Sequence, residues 1–267
     1  MQEILGYVLA VIIGVSLGLI GGGGSILTVP VLVYLLHVDP VLATTYSLFI
    51  VGFTSLVGGV KAYIKKLVDF RAVSLFGIPS ILTIFVARHF ILPAIPEHIL
   101  FVGSFELKRG GLLMIIFALL MLAAAISMMY NRVGKLANGQ DGTRQDKTFS
   151  LLIPGLLVGL VTGLLGAGSG FLIIPALVLL IKLPMKTAVG TSLLIIAINS
   201  TFGFVFSIGH YTLHWPLLFL FTCLSIAGVF IGARLSEKMD GESLKKGFGW
   251  FVLVMSLYIL VKEIFFH

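Results

Sequence analysis

Gly21-Gly22-Gly23-Gly24-Ser25-Ile26-Leu27-Thr28-Val29-Pro30 interrupts a long apolar run near the start of the chain. A second interruption, Gly166-Ala167-Gly168-Ser169-Gly170 followed by Pro175, repeats it in altered form. Each glycine costs a helix about 1 kcal/mol against alanine, so four in succession end it. In hydrocarbon an unpaired N–H or C=O costs several kcal/mol. A broken backbone in that setting must be enclosed by protein, face water or hold a solute. The two breaks are therefore expected to face each other at mid-membrane and form one site.

The rest of the sequence makes that setting a membrane. Of 267 residues, 58% are hydrophobic and 11% charged, with a mean hydropathy of +1.14. Soluble domains carry about 25% charged residues. Apolar stretches long enough to span a bilayer recur from end to end, which predicts an all-α, polytopic helical membrane protein. The net charge of +7 then reports Lys and Arg in cytoplasmic loops, not a nucleic-acid partner. The single cysteine, Cys223, excludes an internal disulfide and CxxC chemistry. Residues 1–20 lack a basic leader, so they are read as structure and not as a signal peptide.

The chain repeats itself. A shift of 145 aligns Gly14, Gly18, Gly21, Gly23 and Pro30 with Gly159, Gly163, Gly166, Gly168 and Pro175. The same shift pairs Ala43, Ser47, Leu48, Ser55 and Gly58 with Ala188, Ser192, Leu193, Ser200 and Gly203. One further residue of slip pairs Arg88 with Arg234. The reading is a tandem duplication: repeat 1–130, a polar linker 131–149 and repeat 150–267, integrated into one transmembrane domain. Helices are expected near 3–20, 40–64, 70–90 and 108–130, and near 150–165, 184–208, 214–234 and 243–266. Short half-helices are expected at 29–37 and 174–182, with Pro30 and Pro175 in their first turns. Arg88 and Arg234 are expected at helix ends, with their charges snorkelling to the interface.

Counting cations selects a topology. If every unit crosses once, Lys and Arg divide nine against nine. If 3–37 and 150–182 are hairpins that leave on the side they enter, each half keeps three full spans and the halves are inverted. The division then becomes fourteen against four. The positive-inside rule favours the second arrangement, with the fourteen cytoplasmic and both termini outside. The expected architecture is two inverted repeats, each a glycine-broken re-entrant hairpin plus three transmembrane helices.

Transporters of this plan place broken helices near the midplane, with half-helix N-termini aimed at anionic groups. Candidate solute ligands are Gly21, Gly22, Gly23, Gly24 and Ser25 in the first break and Gly166, Gly168, Ser169 and Gly170 in the second. The following helices add Ser47 and Thr54 in the first half and Thr191, Ser192 and Asn199 in the second. Such hydroxyl and amide groups bind an oxyanion without any buried Lys or Arg. Gly14-xxx-Gly18 and Gly159-xxx-Gly163 read as close helix packing. The apolar spans are expected to lack buried acids, with Glu3 and Glu263 placed near the termini, which disfavours a cation substrate and a carboxylate proton relay. No metal-ligand spacing and no nucleophile with a base occur, so no catalytic residue, metal or cofactor is expected, and the chain is not read as an enzyme. The expected partners are a small anionic substrate and the lipid bilayer, with no nucleic acid; oligomeric state is left open. A carrier for another small anion, a cation or a neutral solute, or a structural or assembly membrane protein that transports nothing, is the alternative.

The pattern Gly18-x-x-Gly21-Gly22-Gly23-Gly24-Ser25…Pro30, then Ala43-Thr44-Thr45-Tyr46-Ser47-Leu48, resembles the TauE/SafE family of sulfite exporters and related anion permeases. So does Gly166-Ala167-Gly168-Ser169-Gly170…Pro175 with Ala188-Val189-Gly190-Thr191-Ser192-Leu193. The resemblance covers both halves. It implies a multi-pass protein of the plasma (inner) membrane that moves sulfite or small organosulfonates, mostly outward. Thr44-Thr45-Tyr46 departs from the smaller Val189-Gly190-Thr191 of the second copy, so the substrate stays open on these residues.

Overall fold

The computed structural model describes residues 2–102, 105–130, 146–166, 170–180, 183–210, 213–236 and 241–265. The linker segment 131–145 and the site candidates Gly168 and Ser169 lie outside these residues.

Helix α1 (Gln2–Ile20) ends at Gly21, a 3-10 turn follows over Gly22–Leu27, and α2 (Thr28–Tyr34) completes the first hairpin. The chain doubles back: a Cβ on Gly6 would lie 2.7 Å from Leu36 Cδ2, so the start of α1 adjoins the segment after α2. Helix α3 (Pro40–Ile64) starts where the sequence predicts a start. Pro40 occupies the first turn, and the Asp39 carboxylate accepts the N–H groups of Val41 (2.9 Å) and Leu42 (3.1 Å). Asp69 does the same for α4 (Phe70–Val86) by accepting from Ala72 N–H at 3.0 Å. These two acids are helix caps, which explains their places beside apolar runs.

Helix α4 does not stop at Arg88. It continues through a π turn at Ala87–Ile91 into α5 (Leu92–Ala94). Residues 95–108, read from sequence as loop, contain strands β1 (His98–Val102) and β2 (Phe105–Lys108), paired antiparallel with Phe101 opposite Glu106. Helix α6 (Arg109–Tyr130) ends the first half. The second half comprises α7 (Asp146–Leu165), α8 (Gly170–Leu180), α9 (Met185–Val205), α10 (Trp215–Ser236) and α11 (Gly241–Phe265). Helix α8 begins directly at Gly170, so Pro175 lies in its middle and not in its first turn. Residues 146–149, assigned to the linker, belong to α7.

Among the described residues, Pro40–Ile64, Phe70–Ala94, Lys186–Val205 and Trp215–Leu235 are long and apolar enough to cross a bilayer. Large apolar side chains such as Ile78, Leu82, Phe219 and Val254 are exposed on the outside, where a soluble protein would carry charge. The chain is a helical, multi-pass membrane protein.

The two halves hold each other reciprocally. Helix α1 packs on α10, and its counterpart α7 packs on α4; α3 packs on α9, and α6 on α11. The contacts repeat residue by residue. A Cβ on Gly14 would overlap the Ser225 backbone, and one on Gly159 would overlap Ser80. These positions are related by the same shift of 145. Gly58 faces Leu193 Cδ1 at 3.2 Å from an added Cβ, and Gly203 faces Leu48 Cδ1 at 3.1 Å. The second pair fixes α3 and α9 as antiparallel, since early α3 meets late α9. Small residues permit this backbone approach, which supplies packing where lipid gives no hydrophobic drive. Two polar contacts obey the same exchange. Asp69 N–H donates to Thr191 Oγ1 at 2.9 Å, and His214 N–H donates to Tyr46 Oη at 2.8 Å. Buried Leu32, Leu48, Phe117 and Phe221 fill one core cluster and Phe76, Ile173 and Ile196 a second.

Candidate functional site

Both first arms end on the same device. Gly21 N–H donates to Leu17 O and Gly166 N–H to Thr162 O, each at 2.9 Å. Each glycine then takes positive φ, +75° and +67°. At Gly21 ψ is −136°, a region that side chains with a Cβ avoid. An added Cβ on Gly21 would also stand 2.7 Å from Val189 Cγ1, and one on Gly166 would stand 2.6 Å from Thr44 Cα. Thr44 and Val189 are again a shift of 145 apart. They lie in the first turns of α3 and α9, hence at opposite ends of that antiparallel pair.

Beyond those two ends Gly22 and Gly170 touch. A Cβ on Gly22 would overlap the Gly170 Cα, and one on Gly170 would overlap the Gly22 backbone. Ile196 Cδ1 closes over the same point. Gly23 continues the 3-10 turn, and Gly24 packs against Ser16 and Leu17 so closely that no Cβ fits. Ser25 Oγ donates to Gly22 O at 2.7 Å, which tightens the turn. The described parts of both breaks are buried.

The polar face of α3 and α9 divides by role. Thr54 and Asn199 sit level with each other near the middle of the pair, both fully buried. Thr54 Oγ1 donates back to Ile50 O at 2.7 Å. Ser80 Oγ approaches both Gly77 O (2.8 Å) and Asn199 Oδ1 (2.9 Å). A hydroxyl has one proton, so Ser80 serves one acceptor at a time. In either arrangement the Asn199 amide keeps one buried polar atom without a partner among the described residues; as drawn it is Nδ2. Ser47 Oγ is buried and without a hydrogen bond in the same sense. Ser192 Oγ donates to Val189 O at 2.8 Å. Thr191 gives its oxygen to the start of α4. The structure thus brings Gly22, Gly170 and Ser25 together, ranges Ser47, Thr54, Ser192 and Asn199 along the two helices beside them, and sets Thr191 in the α4–α9 junction.

One residue was missed. Arg88 does not snorkel: it is 3% exposed, and its guanidinium donates to Thr45 Oγ1 at 3.2 Å and Thr44 Oγ1 at 3.1 Å. It therefore lies on the wall that Gly166 packs against. A buried cation thus stands beside Thr44, where the sequence reading placed Arg88 at a helix end with its charge at the interface. Its sequence signal was available. Phe85-Val86-Ala87 and Phe90-Ile91-Leu92 flank Arg88, so the apolar run does not end there. A cation inside an apolar run is a functional candidate by default. The π turn at Ala87–Ile91 is a second sign, since such turns gather at functional sites. The shift of 145 places Ala233 opposite Arg88, while Arg234 is exposed as expected. Among the described residues no cluster of metal-ligating side chains occurs.

Known proteins similar to this chain are membrane transporters. A probable membrane transporter protein of Xylella fastidiosa (strain 9a5c) is 28% identical over 93% of this chain and 91% of its own length. A probable membrane transporter protein of Bacillus subtilis (strain 168) is 28% identical over 96% of each chain. One of Methanocaldococcus jannaschii is 24% identical over 95% of each. No solved structure matches the chain. The protein is a membrane transporter and not an enzyme. The family model described as sulfite exporter TauE/SafE matches residues 7–259, and the chain belongs to that family.

Proposed function

We propose that this protein is a secondary carrier that exports a small sulfur-containing anion, sulfite or an organosulfonate, across the plasma (inner) membrane. The anion rests where the two glycine segments meet, against Gly21–Ser25 and Gly166–Gly170, with Ser47, Thr54, Ser192 and Asn199 lining its way. The observation that carries this reading is the backbone contact between Gly22 and Gly170. Two breaks from opposite ends of the fold converge there, and on α3 and α9 the buried polar groups of Ser47 and Asn199 have no partner among the described residues. Packing alone has no use for such groups, since each costs about 1–3 kcal/mol when left unsatisfied.

The antiparallel, reciprocal pairing of α3 with α9 supports inverted repeats, with 3–37 and 150–182 as re-entrant hairpins entering from opposite faces. The fourteen-cation side is then cytoplasmic. Rocking one repeat against the other about the glycine breaks exposes the site alternately. With the cell interior negative, an anion leaves downhill at about 2.3 kcal/mol per 100 mV without a coupled ion.

Thermal shift of the purified protein tests the substrate class. Sulfite, thiosulfate or a sulfonate is expected to raise Tm, with acetate and Na⁺ weaker. A rise with Na⁺ alone favours a cation carrier and overturns the assignment.

A further inference from the structure

We propose that the α3–α4 junction binds the phosphate headgroup of an anionic phospholipid. The proposal goes beyond the carrier reading and does not depend on what is carried. Helices α3 and α4 are both of spanning length, so the segment that joins them lies at the level of the headgroups. Tyr63 and Phe70 mark that level: each is 57% exposed, and their rings meet edge to face at 5.6 Å. Tyrosine collects at membrane interfaces, with its ring in the apolar layer and its hydroxyl in water. Lys61 stands in the last turn of α3, Lys66 just beyond it and Arg71 at the start of α4. Lys66 and Arg71 are exposed. A fourth cation comes from the other half. A Cβ on Gly190 would overlap Leu67 O, and Thr191 accepts the Asp69 N–H, so the start of α9 is docked here. Lys186 is exposed and lies four residues before Gly190, on the same helical face. Asp69 is the one acid in 61–71, and its carboxylate is taken up by capping Ala72 N–H. Lys65 has an interaction of its own, and the site does not need it.

The repeat shows that these cations serve no need of the fold itself. The shift of 145 carries Lys61, Lys66 and Arg71 to Phe206, Tyr211 and Pro216, and Val41 to Lys186. Yet the two junctions are tied alike: Tyr46 accepts the His214 N–H as Thr191 accepts that of Asp69. One junction has Lys or Arg at these positions and the other has none. Lys66 is a further sign, since its φ of +57° suits Gly or Asn at a helix end better than lysine. The charge is kept there against backbone preference. Four Lys and Arg at the ends of membrane helices form the pattern that draws anionic headgroups to a protein. The guanidinium of Arg71 can take phosphate oxygens in pairs, and the lysines add point charges. Exposed Tyr63, Ile64 and Phe70 give the acyl chains an apolar border. A headgroup held by Lys66, Arg71 and Lys186 joins both halves, beside the turn of α9 on which the Gly21 break packs.

The test uses the full-length protein in a neutral detergent, read by native mass spectrometry and by Tm. The probes are dioleoylphosphatidylglycerol, dioleoylphosphatidylcholine and glycerophosphoglycerol, the first headgroup without acyl chains. Wild type is expected to retain phosphatidylglycerol and to gain more Tm from it than from phosphatidylcholine. Lys66→Gln/Arg71→Gln/Lys186→Gln is expected to bind phosphatidylglycerol about fivefold more weakly per cation removed, with its Tm in phosphatidylcholine unchanged. Arg234→Gln/Lys245→Gln/Lys246→Gln removes three cations elsewhere and is expected to bind phosphatidylglycerol as wild type does. Equal losses in the two triple variants overturn the site in favour of general attraction to basic protein. Equal binding of the two lipids by wild type overturns it as well. Glycerophosphoglycerol raising Tm as far as the lipid does overturns the assignment to a membrane lipid. Where the first triple variant does not fold, Lys66→Arg/Arg71→Lys/Lys186→Arg decides: a kept preference for phosphatidylglycerol supports the site, and a folded protein without it overturns it.

Discussion

Gly22 and Gly170, 148 residues apart in sequence, meet backbone to backbone, and neither position has room for a Cβ. Replacing either by alanine forces two main chains apart at the junction. Gly22→Ala and Gly170→Ala are each expected to lower stability by about 1–3 kcal/mol, the range for overpacking, and to abolish transport. Flux in proteoliposomes beside a melting curve checks both. Normal flux in a folded Gly22→Ala protein would show that the junction is packing only.

Gly14 and Gly159 set a contrast, since they pack on Ser225 and Ser80 away from the junction. Gly14→Leu and Gly159→Leu are expected to fail chiefly in folding, with losses of about 3 kcal/mol or more because backbone, not a movable side chain, opposes them. Yield of monodisperse protein and Tm measure this. A well-folded Gly14→Leu protein that has lost transport would move this glycine into the path.

Asn199 separates structure from transport. Ser80 keeps Gly77 O as an acceptor when the amide is removed. Asn199→Ala is therefore expected to change stability by no more than about 1–2 kcal/mol, while flux falls about tenfold through loss of one hydrogen bond to the solute. Parallel Tm and flux measurements decide it; a large drop in Tm with unaltered flux contradicts the assignment.

Arg88 and Arg234, neighbours of one another in the aligned repeats, are expected to behave differently. Arg234 is exposed in the last turn of α10. Arg234→Gln should stay within about 0.5 kcal/mol of wild type in stability and leave flux intact. A flux loss equal to that of Arg88→Gln would remove the distinction drawn from burial.

Tyr34 Oη donates to Glu263 Oε1 at 2.7 Å, and Lys262 Nζ stands 4.4 Å from the Tyr34 ring centre. These contacts tie α2 to α11. The shift of 145 puts Leu179 and Ala118 at the matching positions, residues with neither hydroxyl nor carboxylate. Tyr34→Phe is expected to cost about 1–3 kcal/mol, the value of a hydrogen bond to a charged group, read as a fall in Tm. An unchanged Tm would show that the tie contributes nothing.

What the sequence made legible follows from how local each signal is. Asp39-Pro40 and Lys65-Lys66 bracket α3, and its bounds, Pro40–Ile64, follow from those residues. The four-glycine break needs no partner to be seen, since the α-helix ends at it and only a 3-10 turn continues. Pro175 misled, because proline marks a first turn only by preference, and α8 starts earlier at Gly170. The β1–β2 hairpin was hidden in a short, mixed segment with no clear alternation. The Asp69–Thr191 and Tyr46–His214 contacts join residues more than 100 positions apart, and only the folded pair of halves reveals them. Arg88 was misplaced because a helix-end cation and a buried one look alike until the neighbouring hydroxyls are in view.

The central claim is that the two glycine breaks form one site through which an anion moves under the membrane potential. Its most direct test is the steady accumulation of labelled methanesulfonate and sulfite in proteoliposomes clamped at a series of potentials. The account predicts net movement towards the positive side, reversing with the sign of the potential. For a monovalent anion the ratio should change about fifty-fold per 100 mV, from about 2.3 kcal/mol per charge. Distribution of every sulfur anion independent of the potential, and equal to that in protein-free vesicles, would contradict it.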